Sequence, residues 1–388
     1  MNLPLGYFAK VALKSPSLFR SIMEGSFRKF IGAPLEYFLG DGRRASRIKQ
    51  IDIKITNLCN LRCKMCAQWG QSGYNFGRPA QLLREVLPVQ HYKRMVDDCL
   101  RMNPLYYIWG GEPLMYPGIM ELLGYIKSRR QTVSVITNGT LLESRASEIV
   151  RMGVDSVMIS LDGPAEVHDR IRGVPGTFEK MAAGLSALLR ERARRKKGVP
   201  ILVLLMTLTG ENYRLINKTL QVAQDLGADF AAIYYSWFTT EEIGCAHTRF
   251  MEEHFGVTPT AWRGYLSDAC GMDTLGLIEE IRKVRAVKYR IPYLFVPDLN
   301  EEEIPKYFNE PEHTFGHRRC VSPWYVTEIS PNGDVATCRD YPDYTCGNIG
   351  KESLLKIFNG PRYGRFRAVL REKGLFPICA RCCGLIGF

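Results

Sequence analysis

Three cysteines within eight residues are where this sequence first suggests chemistry. Cys59-Asn60-Leu61-Arg62-Cys63-Lys64-Met65-Cys66 follows a β-rich run that begins at Ile51, with three residues inside the first cysteine pair and two inside the second. Thiolates are soft ligands, and three on one tight loop can hold three irons of a cubane cluster, leaving the fourth iron without a protein ligand. A molecule with an amine and a carboxylate can chelate that open iron, and an electron from the cluster can then break a bond in it. Zinc usually takes four protein ligands, or three drawn from His and acids as well. A zinc site and three inert thiols are therefore the rival readings of the triad.

Further motifs fall where strands are expected to end. Gly110-Gly111-Glu112-Pro113 closes the second apolar run and Thr137-Asn138-Gly139 the third. Ser160-Leu161-Asp162-Gly163-Pro164 closes the fourth and is followed by His168-Asp169 and Arg170-Ile171-Arg172-Gly173, and Asn212 follows the fifth. Taken with the cysteine loop and Met65 before its third cysteine, this set resembles the signature of the radical S-adenosylmethionine (radical SAM) superfamily. The resemblance implies a catalytic 4Fe-4S cluster on Cys59, Cys63 and Cys66, with S-adenosylmethionine as cofactor. It also implies that Gly110, Gly111, Glu112 and Pro113 hold the cofactor's methionyl amino group, a glycine pair permitting close backbone approach. By the same resemblance Asn138 and Ser160 belong to the ribose and carboxylate contacts, with Asp162 beside them. Arg172 would pair with the cofactor carboxylate as a charge-assisted fork, and Asn212 would reach ribose or adenine. Taken singly, Ser160, Asp162, Arg172 and Asn212 equally suit caps or surface ion pairs, and Gly110-Gly111 an ordinary turn. The implied reaction is reductive cleavage of S-adenosylmethionine to methionine and a 5'-deoxyadenosyl radical, which abstracts hydrogen from an unactivated carbon. A flavodoxin or ferredoxin would supply the electron.

A second cysteine set lies in the tail. Cys320, Cys338, and Cys379-Ala380-Arg381-Cys382 look like a twitch domain, the shortened relative of the SPASM domain, which binds an auxiliary 4Fe-4S cluster. Four thiolates would saturate that cluster, suiting it to electron relay rather than substrate binding. A structural zinc on the same four is the alternative. Cys346 and Cys383 are surplus, and either could replace one of the four. Cys99, Cys245 and Cys270 read as ordinary thiols.

The elements that must position these residues follow from alternation. β-rich apolar runs at 51–59, 104–113, 131–139, 156–164, 200–209 and 230–238 are separated by helical patterns, which indicates a parallel sheet with right-handed crossovers. The expected fold class is α/β, a partial (β/α)6 TIM-like barrel with functional residues after the strands' C-terminal ends, joined to a small C-terminal iron-sulfur module. Four units are expected: a basic amphipathic segment at 1–48, the barrel at 49–240, a mostly helical connector at 241–318, and the auxiliary cluster domain at 319–388. Pro331-Asn332-Gly333-Asp334 marks a hairpin turn in the last of these.

Composition narrows the class. The chain has 388 residues, is 46% hydrophobic and 24% charged, and carries net charge +12. That is ordinary for a globular protein with a large core. Residues 1–50 hold nine Lys or Arg against three acids, so the N-terminus is expected to meet an anionic partner. No apolar run is long enough to span a bilayer, and no signal-peptide core is visible. A cytoplasmic enzyme follows, with peripheral membrane contact through residues 1–45 as one reading and a helical extension packed on the barrel as the other. No nucleic-acid partner is expected. The substrate is left open among small molecules such as aminocyclitol alcohols, peptides, and lipids or lipid-linked groups. A non-enzymatic iron-sulfur or zinc scaffold is the contrasting class.

Overall fold

The computed structural model of the chain describes residues 5–267 and 271–386. The six expected strands are present: β1 (Gln50–Lys54), β2 (Leu105–Trp109), β3 (Thr132–Thr137), β4 (Ser156–Ser160), β5 (Ile201–Leu208) and β6 (Phe230–Tyr235). They pair in sequence order, all parallel. Successive side chains of a strand face opposite ways, and the near-continuous apolar runs let both faces be buried. On β5, Leu202, Leu204, Met206 and Leu208 enter the main core, while Val203, Leu205 and Thr207 line an interior cavity. The sheet thus curves around a hollow, and the loops that follow its strands rim it.

Four further strands extend this sheet, and only the hairpin among them was visible in the sequence. The stretch read as a helical connector contributes β7 (Tyr293–Val296), parallel to β6. The cysteine-rich tail contributes β8 (Val326–Ile329), parallel to β1, then β9 (Asp334–Ala336) and β10 (Thr345–Asn348), both antiparallel to their neighbours. The full order is β10-β9-β8-β1-β2-β3-β4-β5-β6-β7, one open sheet of ten strands. The tail is therefore joined to the barrel through main-chain pairing with β1, the strand that launches the cysteine loop. The turn between β8 and β9 closes through Gly333 N to Ser330 O at 2.8 Å, with Gly333 at φ 90°, a conformation that favours glycine.

The N-terminal segment is helical and packed. Helices α1 (Leu5–Lys14) and α2 (Pro16–Phe27) lie across the starts of the strands, where Tyr7, Val11 and Leu18 form a small core with Ile201, Val203, Phe230 and Ala232. Polar anchors fix them there. Lys14 bonds Asp229 at 2.8 Å, Arg192 bonds the same carboxylate at 2.6 Å, and Ser15 bonds Asp155 at 3.0 Å. Burial would raise the Asp229 carboxyl, but Arg192 and Lys14 prevail and hold it below its usual range. Part of the basic excess expected to meet an outside anion is thus neutralised inside the fold. No helix among the described residues is long and apolar enough to cross a membrane.

Candidate active site

The cysteine loop leaves β1 and returns beneath the ends of β2 and β4. It is held by backbone bonds from Gly111 N to Thr56 O (2.8 Å), Glu112 N to Leu58 O (2.7 Å) and Lys64 N to Ile171 O (3.0 Å). Cys59, Cys63 and Cys66 all border one cavity of about 1060 Å³. Burial pushes the Cys59 thiol up to about 12, with Cys63, Glu112 and Cys66 adding to the rise; burial likewise raises Cys63, which Arg172 opposes. Such mutual repulsion among buried thiolates is what several irons would relieve. Two donors aim at the sulfurs: Leu61 N to Cys59 Sγ at 3.4 Å and Arg172 Nη1 to Cys63 Sγ at 3.6 Å. Hydrogen bonds of this kind tune a cluster's potential. The donor set fits a cubane held by three cysteines.

The residues expected around the cofactor divide into lining and bracing groups. Gly110, Gly111, Asn138, Ser160 and Arg172 line the cavity. Glu112 is fully buried, and its carboxylate accepts three bonds: Leu114 N at 3.0 Å and Thr137 Oγ1 at 2.8 Å on one oxygen, Asn138 N at 2.8 Å on the other. Here Glu112 ties the end of β2 to the end of β3, with Pro113 opening the short turn behind it. Asn138 Nδ2 bonds Asn60 Oδ1 at 2.9 Å, so β3 also grips the cysteine loop. Asp162 and Arg172 form a buried ion pair at 2.5 Å. Burial alone would lower the Arg172 guanidinium; Asp162 and Cys63 more than offset it and keep the charge in place. Arg172, which the resemblance directs to the cofactor carboxylate, is in this structure engaged by Asp162 and Cys63. Asn212 is fully buried and does not border the cavity. It bonds Asp162 O (3.0 Å) and Thr207 O (2.9 Å) and accepts from Thr209 N (2.8 Å), bracing the loop after β5.

Gly111 is the position most sensitive to added bulk. A Cβ there would lie 2.1 Å from Leu58 O, one residue before Cys59. Gly111→Ala is expected to displace the loop and, since misplacement of about 1 Å costs roughly 100-fold in rate, to slow cofactor cleavage by that order. A cleavage rate equal to that of the unaltered chain, measured at matched iron content, would refute this reading of the turn.

Cys320, Cys338, Cys379 and Cys382 border the same cavity from the side of β8 and β9. Burial raises the thiols of Cys320, Cys338 and Cys379, the last to about 12, and Cys338 and Cys379 are each raised further by neighbouring cysteines of the set. Cys346 lies apart, in β10, buried in the core and away from the cavity. The side chain of Cys383 and all of Cys270 lie outside the described residues. Cys99 is buried and Cys245 exposed.

Two arginines that the sequence reading passed over position the tail set. Arg381, between Cys379 and Cys382, is buried and donates to Tyr307 O (2.9 Å), His313 O (2.8 Å) and Glu310 O (2.5 Å). These carbonyls close the helix Glu303–Asn309 and the turn after it, where intrahelical donors run out. Arg367 does the same for Pro323 O (2.9 Å) and Phe358 O (2.8 Å), fixing the turn after Cys320. Asp340 accepts a bond from Cys382 Sγ at 3.2 Å.

Between the two cysteine sets the cavity wall is aromatic and charged. Trp109 Nε1 bonds Glu328 at 3.1 Å, and the Arg339 guanidinium lies 5.8 to 5.9 Å from the rings of Tyr107, Trp109 and Trp237. Burial raises the Asp52 carboxyl to about 6, opposed by Arg339, and lowers the Lys54 ammonium to about 7, opposed by Glu328. These inward side chains of β1 and β8 carry no motif, and only the period-two alternation of a strand points to them.

Comparison with known proteins agrees with this geometry. A model of the radical SAM superfamily matches residues 53–223, and a model of the SPASM iron-sulfur cluster-binding domain matches residues 320–383. The chain is 33% identical over 178 residues to the AdoMet-dependent heme synthase of Methanosarcina barkeri, covering 45% of this chain and 47% of that one. It is 27% identical over 325 residues to the antilisterial bacteriocin subtilosin biosynthesis protein AlbA of Bacillus subtilis, covering 79% of this chain and 59% of that one. It spans about half the length of the first curated relatives it matches, 47% and 45%. Its fold is that of SuiB from Streptococcus suis, solved with S-adenosylmethionine bound, at a TM-score of 0.60 and 15% identity over 90% of this chain and 73% of that one. Residues 53–223 thus form a radical SAM domain and residues 320–383 a C-terminal SPASM domain, and the cofactors that go with them are S-adenosylmethionine, a 4Fe-4S cluster and an auxiliary iron-sulfur cluster.

Proposed function

We propose that this enzyme oxidises an unactivated carbon of a small molecule or peptide, with Cys59, Cys63 and Cys66 holding the catalytic cluster and Cys320, Cys338, Cys379 and Cys382 the auxiliary one. When bound, the cofactors supply a 5'-deoxyadenosyl radical that removes one hydrogen atom, and an acceptor for the electron then left on the substrate. The observation that carries the reading is that both cysteine sets border one cavity. A flavodoxin or ferredoxin is the proposed electron partner, and dithionite replaces it in the assay. Names of the relatives point to two substrate classes, tetrapyrroles for the heme synthase and a peptide for AlbA.

The chain's own residues do the rest. Gly110, Gly111, Asn138 and Ser160 border the space for the cofactor, and the Asp162–Arg172 pair beside Cys63 sets a fixed charge there. Trp109, Tyr107 and Trp237 exclude water from the space between the clusters. Asp52, on the cavity wall with Gln50 Nε2 at 2.7 Å, is the proposed acceptor of the proton that leaves a hydroxyl or amine when the adjoining carbon is oxidised. Arg339, Asp340 and Glu328 are the charged groups that face it. With its carboxyl at about 6, product formation is expected to rise with pH through that value as the carboxylate forms. Asp52→Asn should flatten that limb and slow product formation by roughly 10² to 10⁴.

The test is a panel of peptides, tetrapyrroles and small alcohols incubated anaerobically with dithionite and S-adenosylmethionine. A product lighter by a pair of hydrogens, formed with 5'-deoxyadenosine, supports oxidation. A product of unchanged mass, or one carrying the adenosyl group, would contradict it. A lipid or lipid-linked substrate is the second reading, favoured by the exposed Met23 and Phe27 on α2, whose Ile22, Gly25 and Ser26 border the cavity.

A further inference from the structure

Helix α2 continues without a break through a π-helical turn at Arg28–Gly32 into α3 (Ala33–Phe38). One face of this rod is buried: Leu18, Ser21, Arg28, Ala33 and Tyr37. The five-residue step from Arg28 to Ala33 is where the π turn re-phases the helix so that both stay inside. Arg28 pairs with Glu36, and Tyr37 packs at a tilt against Trp324 with ring centroids 5.1 Å apart, beside the turn that follows Cys320. The opposite face carries Met23, Phe27, Phe30, Ile31, Leu35 and Phe38, ending in Leu39, all exposed. Seven of the twelve exposed large apolar side chains among the described residues thus lie in one stretch of seventeen. Isolated exposed apolars are common, but a contiguous stripe of this kind marks a contact surface.

The charge around the stripe says what covers it. Both acids of the rod are neutralised by buried bases, Glu24 by Lys49 and Glu36 by Arg28. The basic side chains stay at the rim: Arg20 is exposed, the Lys29 ammonium lies 5.7 Å from the Phe30 ring, and Arg319 lies 4.6 Å over Phe38, with Arg318 exposed beside it. A second copy of the chain meeting this face about a two-fold axis would bring two cationic rims together, which is unfavourable. An anionic bilayer complements both features, apolar side chains entering the acyl boundary while the rim meets headgroups. We propose that the α2–α3 stripe docks the enzyme on an anionic membrane surface. Another edge of the rod, at Ile22, Gly25 and Ser26 of α2 and Lys29 of the π turn, borders the cavity, so docking places the bilayer beside the active site. The inference stands apart from the proposed oxidation chemistry and holds whatever the substrate is.

The test is co-sedimentation of the full, anaerobically reconstituted chain with phosphatidylcholine vesicles and with vesicles of roughly one-third phosphatidylglycerol. Binding to the anionic vesicles alone, weakened by salt and reduced about tenfold or more in Phe27→Glu/Phe30→Glu/Phe38→Glu, is the expected result. A second variant, Phe30→Trp, which leaves the fold undisturbed, should be quenched by brominated lipid in anionic vesicles. No binding by the unaltered chain, equal binding by a folded triple variant, or no quenching would overturn the proposal. So would a dimer that the triple substitution dissolves in the absence of any vesicle binding, because the stripe would then belong to a second copy.

Discussion

Cys63→Ala is expected to abolish release of 5'-deoxyadenosine, a fall of at least about 10³-fold, as for removal of one member of a catalytic unit. Cys63 is buried, receives the Arg172 guanidinium, and is the middle ligand of a triad that has no spare thiol on its loop. Cys99 is buried elsewhere and the tail set lies across the cavity. Iron should fall from about eight to about four per chain, because the tail's four cysteines are untouched. The assay is anaerobic reconstitution with dithionite and S-adenosylmethionine, followed by chromatography of the nucleoside. Continued release at more than a few per cent of the original rate would remove the triad from the mechanism.

Arg381→Ala should do the converse. The guanidinium donates to the carbonyls of Tyr307, Glu310 and His313, of which Glu310 O also accepts from His313 N at 2.8 Å, and it packs 4.7 Å from the Tyr307 ring. Truncation takes the donor from the carbonyls of Tyr307 and His313, at about 1 to 3 kcal/mol each, so a loss of roughly 2 to 5 kcal/mol in stability is expected. The Cys379–Cys382 turn loses its anchor, and iron should drop to about four while 5'-deoxyadenosine is still formed. Arg381→Lys keeps the charge but not the planar fork and should recover only part of the loss. An unchanged denaturation midpoint together with full iron content would show that Arg381 holds nothing in place.

How far the sequence could be read depended on whether a residue's partners are local. Cys59, Cys63 and Cys66 sit on one loop, and their spacing alone carried the ligand reading. The strands from β1 to β6 were legible because each carries an apolar face and most are followed by a helical pattern. The pairing of β8 with β1 was not, since Val326–Ile329 is short and nothing local encodes a partner almost three hundred residues away. Asp162 and Arg172 show the same limit. The resemblance aimed Arg172 at the cofactor, whereas a fully buried Asp162 needs the opposite charge beside it first. Asn212 and Glu112 were read as cofactor contacts and act in this structure as braces, because their nearest unsatisfied groups are backbone ones from adjoining loops. Arg381 read as a charged residue between ligands, and its role as a helix closure depends on the 303–313 segment folding against it. The basic N-terminus likewise divided in two: Lys10 and Lys14 turn in to Asp229 and Arg28 to Glu36, while Arg20 stays exposed.

The most direct test is electron paramagnetic resonance of the dithionite-reduced protein with and without S-adenosylmethionine. A vacant iron on the Cys59–Cys66 loop and a saturated cluster on the tail predict two reduced-cluster signals, of which the cofactor alters one. If S-adenosylmethionine alters neither signal, no cluster in this chain presents an open iron, and the assignment of its chemistry is wrong.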